Sequence, residues 1–334
     1  MEPEVWIVPL RMRHPWGLSR GTASVLPSVL LRRRGGLGEA APARYLGHTA
    51  EALQARLRAI CGDAHDPEDR SLAHEPGPVR AALDIARHDA AARAAGLALR
   101  DLLDRDDPPL PGFGAAQTCY TVALDDLDAM AARASEAAHL PLLKIKLGRD
   151  PGFDLDAVRR VAAAAPGARL RVDANGGWTL AQARALLPAL CDLGVEFVEQ
   201  PLARGQLDAL AELRRASPVP IFADEDVQGP ESLAALRGRV DGVNIKLMKC
   251  GGISPALAMI AAARREGWRV LLGCMIETRV GLAAAASLAG RVDELDLDAH
   301  MLTRDDPVPP GSQAALSAAP PWLPGPGLGV PLRW

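Results

Sequence analysis

Short strand-like runs alternating with Ala-rich helical stretches constrain the fold of this chain more than any other feature. The runs sit near residues 118–124, 142–147, 170–173, 196–199, 221–224, 243–246, 270–274 and 294–296, and their ends fall 22 to 28 residues apart. That spacing suits one strand, one helix and two loops. The intervening stretches are amphipathic: Leu180, Leu186, Leu187, Leu190 and Leu193, for example, form one helical stripe. Eight such units predict an α/β fold, a TIM-like (β/α)8 barrel over residues 113–300. Residues 1–112 read as an α+β capping domain, with a strand near 24–32 and a turn at Arg34-Gly-Gly-Leu-Gly. Helices are expected near 49–60 and 79–103, then a Pro/Gly-rich linker at 107–114. The Pro-rich tail, 301–334, is expected to pack back on the cap.

Composition removes several function classes. A net charge of −3 provides no field for nucleic acid or an anionic membrane surface. No apolar run approaches the ~18 residues of a membrane span, and the first ten residues lack the pattern of a signal peptide. The five cysteines, at 61, 119, 191, 250 and 274, are scattered without a CxxC spacing and read as reduced thiols of a cytoplasmic protein. A small molecule is the expected partner, and a homo-oligomer is compatible with the sequence.

Lysine is the scarce residue. Four of the 38 basic residues are Lys and the other 34 are Arg; Lys144, Lys146, Lys246 and Lys249 are confined to LLKIKLG and NIKLMKCGG. A desolvated amine can surrender its proton, whereas a guanidinium stays charged, so these positions suggest proton chemistry. In a (β/α)8 barrel the chemistry lies at the C-terminal ends of the strands. Strand two ends in Lys144 and Lys146, which share one side of the strand. Strands three, four and five end in Asp173, Glu199 and Asp224, strand six in Lys246, and strand eight in Asp296 and Asp298. Three carboxylates without a soft donor favour Mg²⁺, with Mn²⁺ as a substitute.

Strands two and six lie opposite each other in a ring of eight. Lys146 and Lys246 are therefore expected to face each other across the mouth, with a substrate carboxylate on the metal between them. One amine removes an α-proton from one face and the other returns a proton to the opposite face. Metal and Lys144 together stabilise the enolate, and nearby cations with burial are expected to lower the lysine pKa. Lys249 is expected to point elsewhere, in a structural role.

LKIKLG, VDANGGW, VEQPL, FADEDV, VNIKLMKCGGI and GCMIETRVG together resemble the enolase superfamily, in its muconate-lactonizing branch, along nearly the whole chain. The resemblance implies Asp173, Glu199 and Asp224 as Mg²⁺ ligands, Lys146 and Lys246 as the acid/base pair, and Lys144 as an electrostatic helper. It implies Asn175 and Glu225 as groups that orient the ligands and the Lys246 amine. The Asp296-Leu-Asp298 pair resembles that of the dipeptide epimerases, where it holds the α-ammonium group, a charge-assisted contact. HPWGLSRGTAS resembles the specificity loop of L-Ala-D/L-Glu epimerases, which gives Arg20 the substrate's Glu side chain. Cys274, Met275 and Ile276 on strand seven, and Thr118 and Thr121 on strand one, are expected to line the pocket.

Two departures from the family pattern bear on specificity: Tyr45-Leu-Gly-His48 in place of Tyr-Gly-Glu, and Asp226 in place of Ser. The function expected is epimerisation of the C-terminal residue of a dipeptide through an enediolate, with L-Ala-D/L-Glu as the substrate pair. Alternatives are an o-succinylbenzoate synthase-like or cycloisomerase lyase, an epimerase for hydrophobic or cationic dipeptides, a Schiff-base aldolase, and a non-catalytic barrel.

Overall fold

The computed structural model describes residues 3–18, 21–62, 72–106, 108, 117–308, 317–319 and 323–331. The N-terminal cap holds an antiparallel sheet in the order β1 (Glu4–Leu18), β2 (Gly21–Arg33), β3 (Gly36–Ala40). It continues through α1 (Ala50–Gly62), α2 (Gly77–Ala94) and α3 (Leu99–Asp106). Val5, Val29, Leu31, Leu53, Leu57, Ile60 and Val79 form a core between sheet and helices. The sequence reading differs here in three places. The sequence pattern does not reveal β1, because Pro9, Pro15 and its arginines mask an edge strand. Gly36-Leu-Gly38, expected in a turn, is strand. A side-chain carbon at Gly38 would stand 1.9 Å from the Ala82 carbonyl oxygen, so α2 approaches this strand only over glycine. The helix expected over 79–103 breaks at Gly96 (φ 67°), and Leu97 and Leu99 then exchange hydrogen bonds with Gly327 of the tail. The linker lies almost wholly outside the described residues.

The barrel follows as β4 (Tyr120–Val122), α4 (Leu127–Glu136), β5 (Leu142–Lys146), α5 (Pro151–Ala164), β6 (Arg169–Asp173), α6 (Leu180–Asp192), β7 (Val195–Glu199), α7 (Leu207–Ala216) and β8 (Ile221–Ala223). It ends with β9 (Gly242–Lys246), α8 (Leu247–Cys250), α9 (Ile253–Arg265), β10 (Arg269–Gly273), α10 (Arg279–Ala286), β11 (Glu294–Asp296) and α11 (Ala299–Leu302). The eight strands are parallel and neighbour one another in chain order. A parallel bridge between Thr118 and Leu295 closes the ring. This is a (β/α)8 barrel with an α+β cap.

Alternation along the strands decides what fills the ring. In β5, Leu143 and Ile145 face the helices while Lys144 and Lys146 face inward. In β9, Val243 and Ile245 face outward while Gly242, Asn244 and Lys246 face inward. The lower interior is closed by Phe197 and Phe222, stacked with centroids 4.1 Å apart, together with Leu271. Arg171 lies over Phe197 at 5.0 Å and is paired with Glu196 and Glu294. A side-chain carbon at Gly242 would stand 2.3 Å from the Phe222 ring, which explains glycine there. The upper interior is left to charged groups.

Cap and barrel meet at a buried carboxylate. Glu39 of β3 accepts hydrogen bonds from Ser28 Oγ (2.6 Å), the Thr278 N–H (2.8 Å), Thr278 Oγ1 (2.6 Å) and the Gly281 N–H (2.8 Å), so a cap residue secures the start of α10. Glu277 lies beside it: oxygens of both carboxyls stand within 3.0 Å of the space a Gly281 side chain would need.

Candidate active site

Strand ends β5 to β9, with the residue after β8 and the end of β11, bring a buried charge cluster into the barrel mouth. Lys144 Nζ lies 3.0 Å from Asp173 Oδ2, 2.7 Å from Glu199 Oε2 and 2.7 Å from Asp296 Oδ2. Lys146 Nζ donates to Asp173 Oδ2 (2.7 Å) and Lys246 Nζ to Asp224 Oδ2 (2.9 Å). Asp173, Glu199 and Asp224 bring carboxylate oxygens within 4.8 Å of one another. Burial works against the Asp173 carboxylate, but Lys144 and Lys146 outweigh it and hold its pKa below the usual range. Glu199 is pushed up to about 8 by burial and the Asp173 charge. Three such groups stay ionised together only with strong cationic help. Their oxygen-only donor set fits a hard metal ion, so the cluster can hold one.

Above the cluster opens a cavity of about 430 Å³. Lys146, Lys246, Asp224, Asp296 and Asp298 reach it from the barrel, and Trp16, Leu26, Pro42, Arg44 and Tyr45 from the cap. β5 and β9 are separated by three strands on either side of the closed ring, so their terminal lysines enter from opposite sides.

A family described as enolase C-terminal domain-like matches residues 126–334. A hydrophobic dipeptide epimerase from Roseobacter litoralis is 38% identical over 92% of this chain and 92% of its own. An Agrobacterium tumefaciens enolase family member, solved with sodium and L-Ala-L-Glu, superposes with a TM-score of 0.82 at 35% identity, covering 91% of this chain and 93% of that one. The Enterococcus faecalis dipeptide epimerase, solved with Mg and L-Leu-L-Tyr, gives 0.86 at 28% identity and 98% coverage of both chains. This chain belongs to the dipeptide epimerases of the enolase superfamily.

The enolase-superfamily residues expected from sequence are largely gathered in one place. Asn175 donates from its backbone to Asp173 Oδ1 (2.9 Å) and from Nδ2 to Glu225 Oε1 (3.3 Å). Asp298 Oδ2 accepts the Thr121 N–H at 2.6 Å, and burial with the Asp296 charge raises its pKa to about 7. Thr121, Cys274, Met275 and Ile276 line the cavity. Thr118 does not; its Oγ1 instead accepts the Leu297 N–H (2.7 Å) at the barrel seam. Asp226 also turns away, holding Gln200 Nε2 (2.8 Å) and the Gly205 N–H (2.7 Å) in neighbouring loops. Arg20 lies outside the described residues.

Two expectations about lysine need correction. Lys249 belongs to the site: α8, one helical turn after β9, folds it back so that Nζ donates to Asp224 Oδ1, the Asp224 carbonyl (2.6 Å) and the Asn244 carbonyl (3.1 Å). Period-two reasoning along the strand does not foresee that turn. The lysine pKa values also do not fall together. Burial lowers that of Lys249, whereas for Lys144 and Lys246 the facing carboxylates overcome burial and raise it. Sequence reasoning also passed over Asn244, whose Nδ2 donates to Glu199 Oε1 at 2.7 Å, and Cys119, whose thiol donates to Asp296 Oδ1 at 3.0 Å. Their places in NIK and just before β4 were visible signals. Leu26, Pro42 and Arg44 of the cap had none, because their contacts over the cavity are long-range.

Proposed function

We propose that the protein inverts the α-carbon of the C-terminal residue of a dipeptide, with L-Ala-D/L-Glu as the substrate pair. The observation that carries this reading is the entry of Lys146 and Lys246 from opposite strands into one cavity, beside a carboxylate trio and the Asp296/Asp298 pair. Asp296 and Asp298 receive the substrate's ammonium group by charge-assisted hydrogen bonds. Lys146 takes the α-proton on one face and Lys246 supplies a proton on the other, with the roles exchanged for the opposite epimer. Lys144, buried among Asp173, Glu199 and Asp296, places a fixed positive charge near the developing negative charge. Asn175 and Glu225 orient Asp173 and its surroundings. Mg²⁺, replaceable by Mn²⁺, is the cation assigned to Asp173, Glu199 and Asp224, where it supplies Lewis acidity to the substrate carboxylate.

A second reading, a hydrophobic dipeptide as substrate, is favoured by the apolar part of the cavity wall: Trp16, Leu26, Met275 and Ile276. Incubation of L-Ala-L-Glu with enzyme and Mg²⁺ in D₂O, followed by proton NMR, tests the proposal. Deuterium is expected at the Glu α-carbon of both epimers. Lys146→Ala and Lys246→Ala should each lose exchange with a different epimer. Absence of α-exchange with every dipeptide tried would remove the assignment.

A further inference from the structure

The cavity wall is divided by charge. Asp296 and Asp298 form an anionic end, Lys146 and Lys246 flank the centre, and Arg44 is the one further cation among the described lining residues. Arg44 is exposed and meets no hydrogen-bond or ion-pair partner among the described residues. Its backbone, by contrast, is held. Arg44 begins a one-turn 3-10 helix, Arg44–Leu46, which Gly47 closes in the left-handed region (φ 80°). Next to it, Tyr45 Oη accepts a hydrogen bond from Gln228 Nε2 (3.1 Å), and Ala43 is fully buried. A fixed backbone carrying an uncommitted guanidinium over a cavity is suited to ligand recognition.

We propose that Arg44, in place of the Arg20 that the family resemblance suggests, reads the side chain of the substrate's C-terminal residue and selects a carboxylate. The inference rests on the dipeptide reading above. With the α-carboxylate directed to the metal ion that the Asp173–Glu199–Asp224 trio would hold, the amino end to Asp296 and Asp298, and the α-proton on the axis between the lysines, the side chain is left to point out of the barrel mouth. There the cap covers it, with Trp16, Leu26 and Arg44. The apolar residues take the methylene stem, and the guanidinium fork pairs with the terminal carboxylate through two parallel hydrogen bonds. An aliphatic side chain in the same position would strip water from the guanidinium and offer it no acceptor. An acidic dipeptide thus meets Asp296 and Asp298 with its ammonium group and Arg44 with its side-chain carboxylate.

The test compares wild type, Arg44→Ala and Arg44→Gln on L-Ala-L-Glu and L-Ala-L-Leu with Mg²⁺, with thermal midpoints confirming folded protein. Loss of a charged hydrogen bond should lower the preference for L-Ala-L-Glu, as a ratio of kcat/KM values, by roughly ten- to hundredfold, mainly through KM. Arg44→Glu should move the preference towards L-Ala-L-Lys. An equal loss on both substrates would make Arg44 a mere support of its turn, and no loss on L-Ala-L-Glu would remove it from recognition; either overturns the assignment while leaving the epimerase reading intact. A wild type inert on all dipeptides overturns both.

Discussion

Glu277→Gln should flatten the fall of stability with pH over the two units above about 4.5. Burial raises the pKa of both Glu39 and Glu277, and the Glu39 charge pushes that of Glu277 up further, well above the usual range. Four donors converge on Glu39, which favours its ionised form, so the proton that the pair retains is assigned to Glu277. Once the pH passes about 4.5 the unfolded chain has released both protons, while the native pair still holds one. The unfolded state then binds fewer protons, so stability falls as pH rises, by ~1.4 kcal/mol per unit. Over two pH units above about 4.5 the loss is about 3 kcal/mol. Urea midpoints of wild type and Glu277→Gln, measured across that window, give the difference directly. The variant should gain about 3 kcal/mol on wild type between the two ends. Glu39→Gln is expected to cost about 1–3 kcal/mol at every pH, because an amide nitrogen cannot accept from both Thr278 Oγ1 and the Gly281 N–H. Parallel pH curves for wild type and Glu277→Gln would refute the shared proton.

Other consequences are open to direct measurement. Asp298→Asn should raise KM roughly tenfold or more, since it removes one of two carboxylates facing the ammonium group. In the wild type, KM should fall as pH rises through about 7, where Asp298 becomes ionised; a flat KM profile would argue against that role. Mg²⁺ at about 100 times its Kd should stabilise the protein by ~2.7 kcal/mol, reversed by EDTA; Asp224→Asn should lose most of this effect. Gly242→Ala should destabilise the barrel by about 1–3 kcal/mol in denaturant unfolding, because its methyl group meets the Phe222 ring.

The barrel was legible because its strands carry two kinds of information at once. Leu143 and Ile145 mark the face towards the helices, while Lys144 and Lys146 mark the face towards the mouth, and successive strands repeat the arrangement. The trio and the Asp296/Asp298 pair could be placed for the same reason. The cap was harder to read. Gly36 and Gly38 look like turn residues, yet they are required by a helix that packs against the strand from a distant part of the chain. The break at Gly96 likewise depends on residues of the tail. The departures at Tyr45 and Asp226 could not be interpreted without their partners, Gln228 for one and Gln200 with Gly205 for the other. Local pattern thus locates the reacting groups, whereas the surface that receives a substrate side chain is assembled from remote segments.

The Thr118–Leu295 bridge has a consequence for how the protein matures. Asp296 and Asp298 lie on or just beyond the final strand, and they are steadied by Cys119, just before the opening strand, and Thr121 on it. Ring closure and construction of the amine-binding corner are thus a single event, reached only when the last turn of the barrel docks against its first. A partly wound chain can own every lysine and still be unable to anchor a peptide's free end.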